Sequence, residues 1–222
     1  MANYIIDINK IEQEHKLLEP VAFSIHDKLR EVLQKLIDEN EIHLAVPFRT
    51  RVKELWAILD KAKNRRFQLR ETILELPDII GVRIMPLFVR EINKVADLIR
   101  ENFEVVDTYF PQDKVSGNAC TQSCLQMVFK LPENWFSTPQ MKKFKHMRVE
   151  LQIRSIPQHN RSQVLSLLQY KQEPNIPREL KSSINRISAL LELVDIEIER
   201  LLFERDNYLE SIPEIMQKSE DY

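Results

Sequence analysis

The chain has 222 residues, 43% hydrophobic and 30% charged, and its 32 basic and 34 acidic side chains leave a net charge of −2. That composition suits one globular domain with a helical extension, and so small a net charge argues against bulk electrostatic attraction to nucleic acid or an anionic membrane. Only two glycines occur, Gly81 and Gly117, where average usage would give about 15. G-x-G-x-x-G, G-x-x-x-x-G-K and G-x-S-x-G loops are thereby excluded, and any phosphate must be held mainly by side chains.

Residues 7–40 follow helical spacing through Ile11, Leu18, Ile25, Leu29 and Leu33, with Pro20 placed to kink the helix or to start a second. EIHLAVPF (41–48) alternates as a strand would, with Ile42, Leu44 and Val46 on one face. Residues 52–70 return to helical spacing, and IIGVRIMPLF (79–88) is an apolar run of strand length, as expected of a central strand covered on both faces. An amphipathic helix follows at 90–103, then short strands at 104–110, 124–131 and 147–155. From Pro157 to about Tyr208 the pattern is helical, broken at 173–177 by two prolines. The expected fold is α+β: a mixed sheet of about five strands flanked by helices. It divides into a helical segment at 1–40, a domain at 41–176 and a C-terminal helical extension at 177–222, packed on the domain.

No apolar stretch approaches the roughly 20 residues of a membrane span, and the N-terminus lacks a basic region followed by an apolar one. A cytoplasmic protein is expected, without membrane partners. Cys120 and Cys124, spaced C-x-x-x-C with no histidine nearby, make a poor zinc site.

Three segments carry chemistry. In Val149–Ser155, Glu150, Gln152 and Arg154 share one face, opposite Val149, Leu151 and Ile153; the polar face is either solvated or the wall of a site. In Leu76–Ile84, Asp78 opens an apolar strand that contains Arg83, an arrangement that is costly unless the charges pair or bind something. Between them Gly81 suits close approach of a backbone or ligand. The third segment, Arg49, Arg51, Lys53 and Lys61, is either a solvated basic face or a comb of cations able to hold a polyphosphate. Further basic clusters at 61–70 and 142–148 are solvated surface or contacts to nucleotide phosphates or RNA. Of the five histidines, His159 alone lies near the polar strand, and none shows metal-ligand spacing.

Taken in order, these pieces resemble the RelA/SpoT-type synthetase domain of small alarmone synthetases, which moves pyrophosphate from ATP to the 3′-hydroxyl of GDP or GTP. Arg51-Val-Lys53 followed by Lys61 is similar to the family's R-x-K…K element, Asp78-Ile-Ile-Gly-Val-Arg83 to its D-x-x-G-x-R, and Glu150-Leu-Gln152-Ile-Arg154-Ser155 to its E-x-Q-x-R-[ST]. The segment 177–195 looks like the helix that follows the domain in many members. The resemblance implies a nucleotidyltransferase-like synthetase fold over roughly 40–205. It also implies Mg²⁺ held by Asp78 and Glu150, with Glu150 as the base for the acceptor hydroxyl. Arg51, Lys53, Lys61, Arg83 and Arg154 would bind the ATP phosphates or support that binding. Lys114, Gln152 and His159 would lie on the acceptor side.

The chain departs from the family pattern in one region above all. Lys114-Val-Ser-Gly117 keeps the family's lysine and glycine, but Asn118-Ala-Cys-Thr-Gln122 stands where the family has Tyr-x-Ser-x-His, whose tyrosine stacks the acceptor guanine. After Arg154 the family's tryptophan and acidic–His pair are absent, although His159 is kept, and Ala57 replaces a usual serine. Three readings stand at this point: a pyrophosphokinase acting on a guanine nucleotide or related acceptor, a silent relative that binds nucleotides or a protein, and an enzyme that pyrophosphorylates tRNA. The apolar stripe of the C-terminal helix, from Ile184 to Leu201, packs on its own domain or joins copies in a homo-oligomer.

Overall fold

The computed structural model describes residues 8–63, 72–109, 124–169 and 177–211. The helical spacing at the start of the chain resolves into one helix, α1 (Ile8–Glu39), which runs through Pro20 without a second start. Its apolar stripe from Ile11 to Ile37 is buried. The helix ends in a Schellman motif: the Ile42 N–H donates to the Ile37 carbonyl at 3.1 Å and the Glu41 N–H to the Asp38 carbonyl at 3.3 Å. The residue that turns left-handed there is Glu41, at φ 51°, in a position where glycine is the usual choice.

The strand expected at 41–48 does not form. Pro47 has no N–H to donate and Pro86 stands opposite Leu44, so this stretch makes an isolated bridge, Leu44 to Pro86, rather than a ladder. Two bonds flank the bridge, Ala45 N–H to the Met85 carbonyl at 2.9 Å and Leu87 N–H to the His43 carbonyl at 2.7 Å. The first strand is instead β1 (Arg49–Val52). The Lys53 N–H extends its pairing by donating to the Ile79 carbonyl at 2.8 Å, which delays α2 (Leu55–Lys63) beyond the expected start at 52. The part of that expected helix beyond Lys63 lies outside the described residues.

The remaining strands fall within the expected segments: β2 (Ile80–Ile84), β3 (Glu104–Tyr109), β4 (Leu125–Lys130) and β5 (Arg148–Ile153). β2 is shorter than the apolar run at 79–88 and, against expectation, fully buries only alternate residues. They form one five-stranded sheet in the order β1-β2-β5-β4-β3, in which β2 and β5 are parallel and every other pair is antiparallel. Alternate residues of the three inner strands, among them Val82, Leu151, Met127 and Phe129, are buried on one face. The sheet is flanked by α1 against β1 and by α3 (Arg90–Asn102) against β3 and β5. The opposite face is polar. A short helix α4 (Pro139–Lys142) precedes β5, and α5 (Ile156–Gln169) follows it.

The last helix, α6 (Arg178–Ser211), packs on α5. Ile184 and Leu202 are buried, whereas Leu190, Leu193, Leu201 and Phe203 are exposed. Among the described residues no helix is long and apolar enough to cross a membrane.

Candidate active site

Register builds the site. On the polar face, cross-strand partners set out two rows, each reaching from β1 to β3. One reads Arg49, Arg83, Gln152, Gln126, Tyr109, and its neighbour reads Arg51, Gly81, Glu150, Val128, Asp107. Residues directly opposite in paired strands share a face, so the alternating polar residues of β1, β2 and β5 converge. With Asp78, Thr50 and Val82 they line a cleft of about 270 Å³.

Asp78 is delivered by a fastened turn just before β2. Thr72 caps the short 3-10 turn Ile73–Glu75 in a capping box with Glu75, and Glu14 of α1 accepts the Ile73 N–H at 3.0 Å. Arg148 at the foot of β5 donates to the Glu75 carbonyl. Asp78 then forms a buried ion pair with Lys53, each residue being 6% exposed. Lys53 is held in turn by His15 of α1, whose Nε2 lies 3.2 Å from the Lys53 carbonyl. A carbonyl only accepts, so this ring nitrogen carries the hydrogen.

Glu150 sits at the centre of the second row. The Gln152 amide donates to Glu150 Oε1 at 2.9 Å, while its own oxygen accepts from Nε and a terminal nitrogen of Arg83, both at 3.4 Å. Gln152 therefore relays between a cation and a carboxylate. Beside Glu150 in the row, Gly81 leaves room for Arg51 to lie across the strand: a Cβ at residue 81 would stand 3.3 Å from Arg51 Nε and 3.5 Å from its Cγ.

Cations accumulate on this side of the sheet. Burial, followed by the charges of Arg154, Arg51 and Arg49, lowers the Arg83 pKa from its ordinary value. Arg154 is 4% exposed, and its Nε has no hydrogen-bond partner among the described residues. Burial and then Arg154, Arg83 and Arg49 lower the pKa of His159, whose Nδ1 is likewise buried without such a partner. Ser155, the last residue of the third motif, caps α5 reciprocally. Its hydroxyl accepts the Gln158 N–H at 3.1 Å, and the Gln158 side chain accepts the Ser155 N–H at 3.2 Å. The same hydroxyl donates to Asp195 of α6 at 2.8 Å.

The fold thus brings Asp78, Glu150, Arg51, Arg83 and Gln152 to one cleft, with Lys53 behind Asp78 rather than in the lining. Arg154 and His159 stand close enough to Arg83 for their charges to be felt there. Lys61 is in α2. Lys114, Gly117 and the departing segment after it lie outside the described residues. Three residues gain a place that the motifs did not assign: Arg49 in the lining, Tyr109 at the end of its row, and His15 beneath Lys53. Arg49 already stood in the sequence's comb of cations, two residues before Arg51 on the same strand face. His15 was detectable as a polar residue on the apolar stripe of α1. Cys124, next to the site, is a buried free thiol whose pKa burial raises to about 11.

Residues 50–175 match the family described as "Region found in RelA / SpoT proteins". GTP pyrophosphokinase YjbM of Bacillus subtilis (strain 168) is 31% identical over 174 residues, covering 76% of this chain and 78% of that protein. Among solved structures, small alarmone synthetase 1 from Bacillus subtilis superposes with a TM-score of 0.67 at 27% identity, covering 88% of this chain and 99% of the other. The same synthetase bound to its product pppGpp gives a TM-score of 0.65 at 27% identity, with 87% and 98% covered. Bound to AMPCPP it gives 0.62 at 26%, with 88% and 97% covered.

Proposed function

This chain belongs to the RelA/SpoT family, and on that premise we propose that it is an ATP-dependent pyrophosphokinase that transfers pyrophosphate from ATP to the 3′-hydroxyl of a guanine nucleotide. The observation that carries the reading is the row Arg51, Gly81, Glu150 beside Asp78: cations and two carboxylates meet across a glycine that keeps the space between them open. The relatives add to it, one named a GTP pyrophosphokinase and one solved with AMPCPP and with pppGpp.

Transfer of a phosphoryl-type group depends on positioning and charge neutralisation rather than covalent help from the protein. Arg49, Arg51 and Arg83 hold the triphosphate from the β1–β2 side. Glu150 accepts the proton of the attacking hydroxyl, oriented by the Gln152 amide. Lys53, buried against Asp78, sets that carboxylate's position. Asp78 and Glu150 offer hard oxygen donors in one cleft, a set that fits Mg²⁺ when nucleotide phosphates complete the coordination. Such an ion supplies neutralisation of the phosphate charge. The exposed stripe of α6, with Leu190, Leu193 and Leu201, is our candidate for a contact between copies of the chain.

The test is AMP formation from labelled ATP with Mg²⁺ and GDP, GTP, adenine nucleotides or tRNA. We expect AMP with GDP or GTP, lost in Glu150→Gln while the melting curve stays in place. AMP with no acceptor, or undiminished in that variant, overturns the reading. Nucleotide binding without turnover would point to a silent relative, and turnover with tRNA alone to an RNA-directed enzyme.

A further inference from the structure

The two rows are asymmetric. Their β1–β2 end carries Arg49, Arg51 and Arg83, and their β4–β3 end carries Gln126, Val128, Asp107 and Tyr109. Glu150 and Gln152, on the strand between, divide the two ends. The cationic end suits a triphosphate. An acceptor hydroxyl must reach Glu150 roughly in line with the departing group, from the side opposite the bound triphosphate. That side is the β4–β3 flank, whose described row residues include no arginine or lysine but do include an aromatic ring.

Tyr109 ends the row on the edge strand β3, 37% exposed, facing the same way as Gln152 and Arg83. Its phenol pKa is pushed up to about 12 by burial first, then by Glu150, Asp107 and Asp78. Both carboxylates of the cleft therefore lie within electrostatic reach of the ring. Strands lie about 4.8 Å apart, so a residue two strands from β5 is about 10 Å from it, a span comparable with that from a nucleoside's sugar hydroxyl to the far edge of its base. A partly exposed ring at that distance suits stacking, which every base accepts because each has a π face.

Resting on the pyrophosphokinase reading, we infer that Tyr109 is the platform on which the acceptor's base stacks, and so sets acceptor affinity. The experiment compares wild type with Tyr109→Phe and Tyr109→Ala. It measures GDP and ATP dissociation constants by calorimetry, which needs no turnover, and KM for each substrate. Removing the ring raises Kd and KM for GDP about 10- to 100-fold, the range of one base–aromatic stack, and leaves those for ATP unchanged. The phenylalanine variant behaves as wild type, because the ring and not the hydroxyl acts. Unaltered GDP affinity in Tyr109→Ala, or equal losses in both variants, overturns the inference. Turnover with unmoved GDP affinity overturns it alone, leaving the pyrophosphokinase reading intact. GDP affinity that follows the ring without AMP formation upholds the inference and overturns the activity. A wild-type protein that neither binds GDP nor turns over overturns both.

Discussion

Gly81 is where the geometry makes its sharpest demand. It sits on the inner strand β2 with Arg51 opposite on β1 and Glu150 opposite on β5, and a Cβ there would meet Arg51 Nε at 3.3 Å. In Gly81→Ala the exposed, flexible arginine yields by a few tenths of an ångström, and ATP turnover falls less than about tenfold. In Gly81→Val two methyl groups occupy the ground over which Arg51 lies. A displacement of about 1 Å at a substrate-positioning group is worth about 10²-fold in rate, expected here in kcat/KM for ATP. Stability moves the other way, because glycine inside a strand costs about 0.5–1 kcal/mol relative to alanine. In a domain of this size that is about 1–4 °C in Tm. Initial rates of AMP formation at varied ATP, beside thermal melts, separate the two effects. A valine variant with wild-type kinetics for ATP, or one whose activity falls only in step with its melting temperature, would refute the placement of Arg51 over this glycine.

Glu41→Gly relieves a left-handed residue at the end of α1 and should stabilise the protein by about 1 kcal/mol, a rise of about 2–4 °C in Tm with unchanged kinetics. Ser155→Ala removes the cap of α5 and the bond to Asp195 and should cost about 1–2 kcal/mol in urea unfolding; Ser155→Thr should retain most of it. His159 is depressed below 6.5 in the fold by burial and by Arg154, Arg83 and Arg49. As pH falls through 6.5 the unfolded chain therefore takes up a proton that the folded chain refuses, and stability drops. His159→Gln should flatten that part of the stability–pH curve, and an unchanged slope would contradict the placement of the imidazole among the arginines.

Much of this was legible because strands write their faces into the sequence. The alternation of Glu150, Gln152 and Arg154 against Val149, Leu151 and Ile153 gave β5 its two sides, and the same rule held for β4. The apolar run at 79–88 instead pointed to a strand covered on both faces, whereas β2 turns Gly81 and Arg83 to the cleft. The segment 41–48 misled because alternation reports a pleat but not hydrogen-bond capacity: Pro47 has no N–H to donate, and Leu44 has Pro86 opposite it. Pairings between distant residues were out of reach: Lys53 looked like one tooth in a comb of phosphate-binding cations, whereas it lies buried against Asp78. The place of Tyr109 on the polar face could not be read from the sequence, since it depends on a register that runs through β4 to β5.

The scarcity of glycine has a consequence for the energetics of the cleft. A glycine-rich loop binds phosphate with backbone N–H dipoles, which carry no net charge and do not repel one another when the site is empty. On the proposed reading the same task falls to guanidinium groups; burial first, then the charges of Arg154, Arg51 and Arg49, lower the pKa of Arg83. Arginine stays protonated despite such a shift, so the repulsion is carried by the fold rather than relieved by proton loss. Glu150 is linked to it through Gln152, whose oxygen accepts from Arg83 in long contacts. An incoming triphosphate is attracted by the cluster and also removes the repulsion within it. Nucleotide binding should therefore raise the stability of this chain beyond what the direct contacts supply, with a strong dependence on ionic strength. In a site built from side chains, whatever repulsion the ligand relieves becomes part of the binding energy.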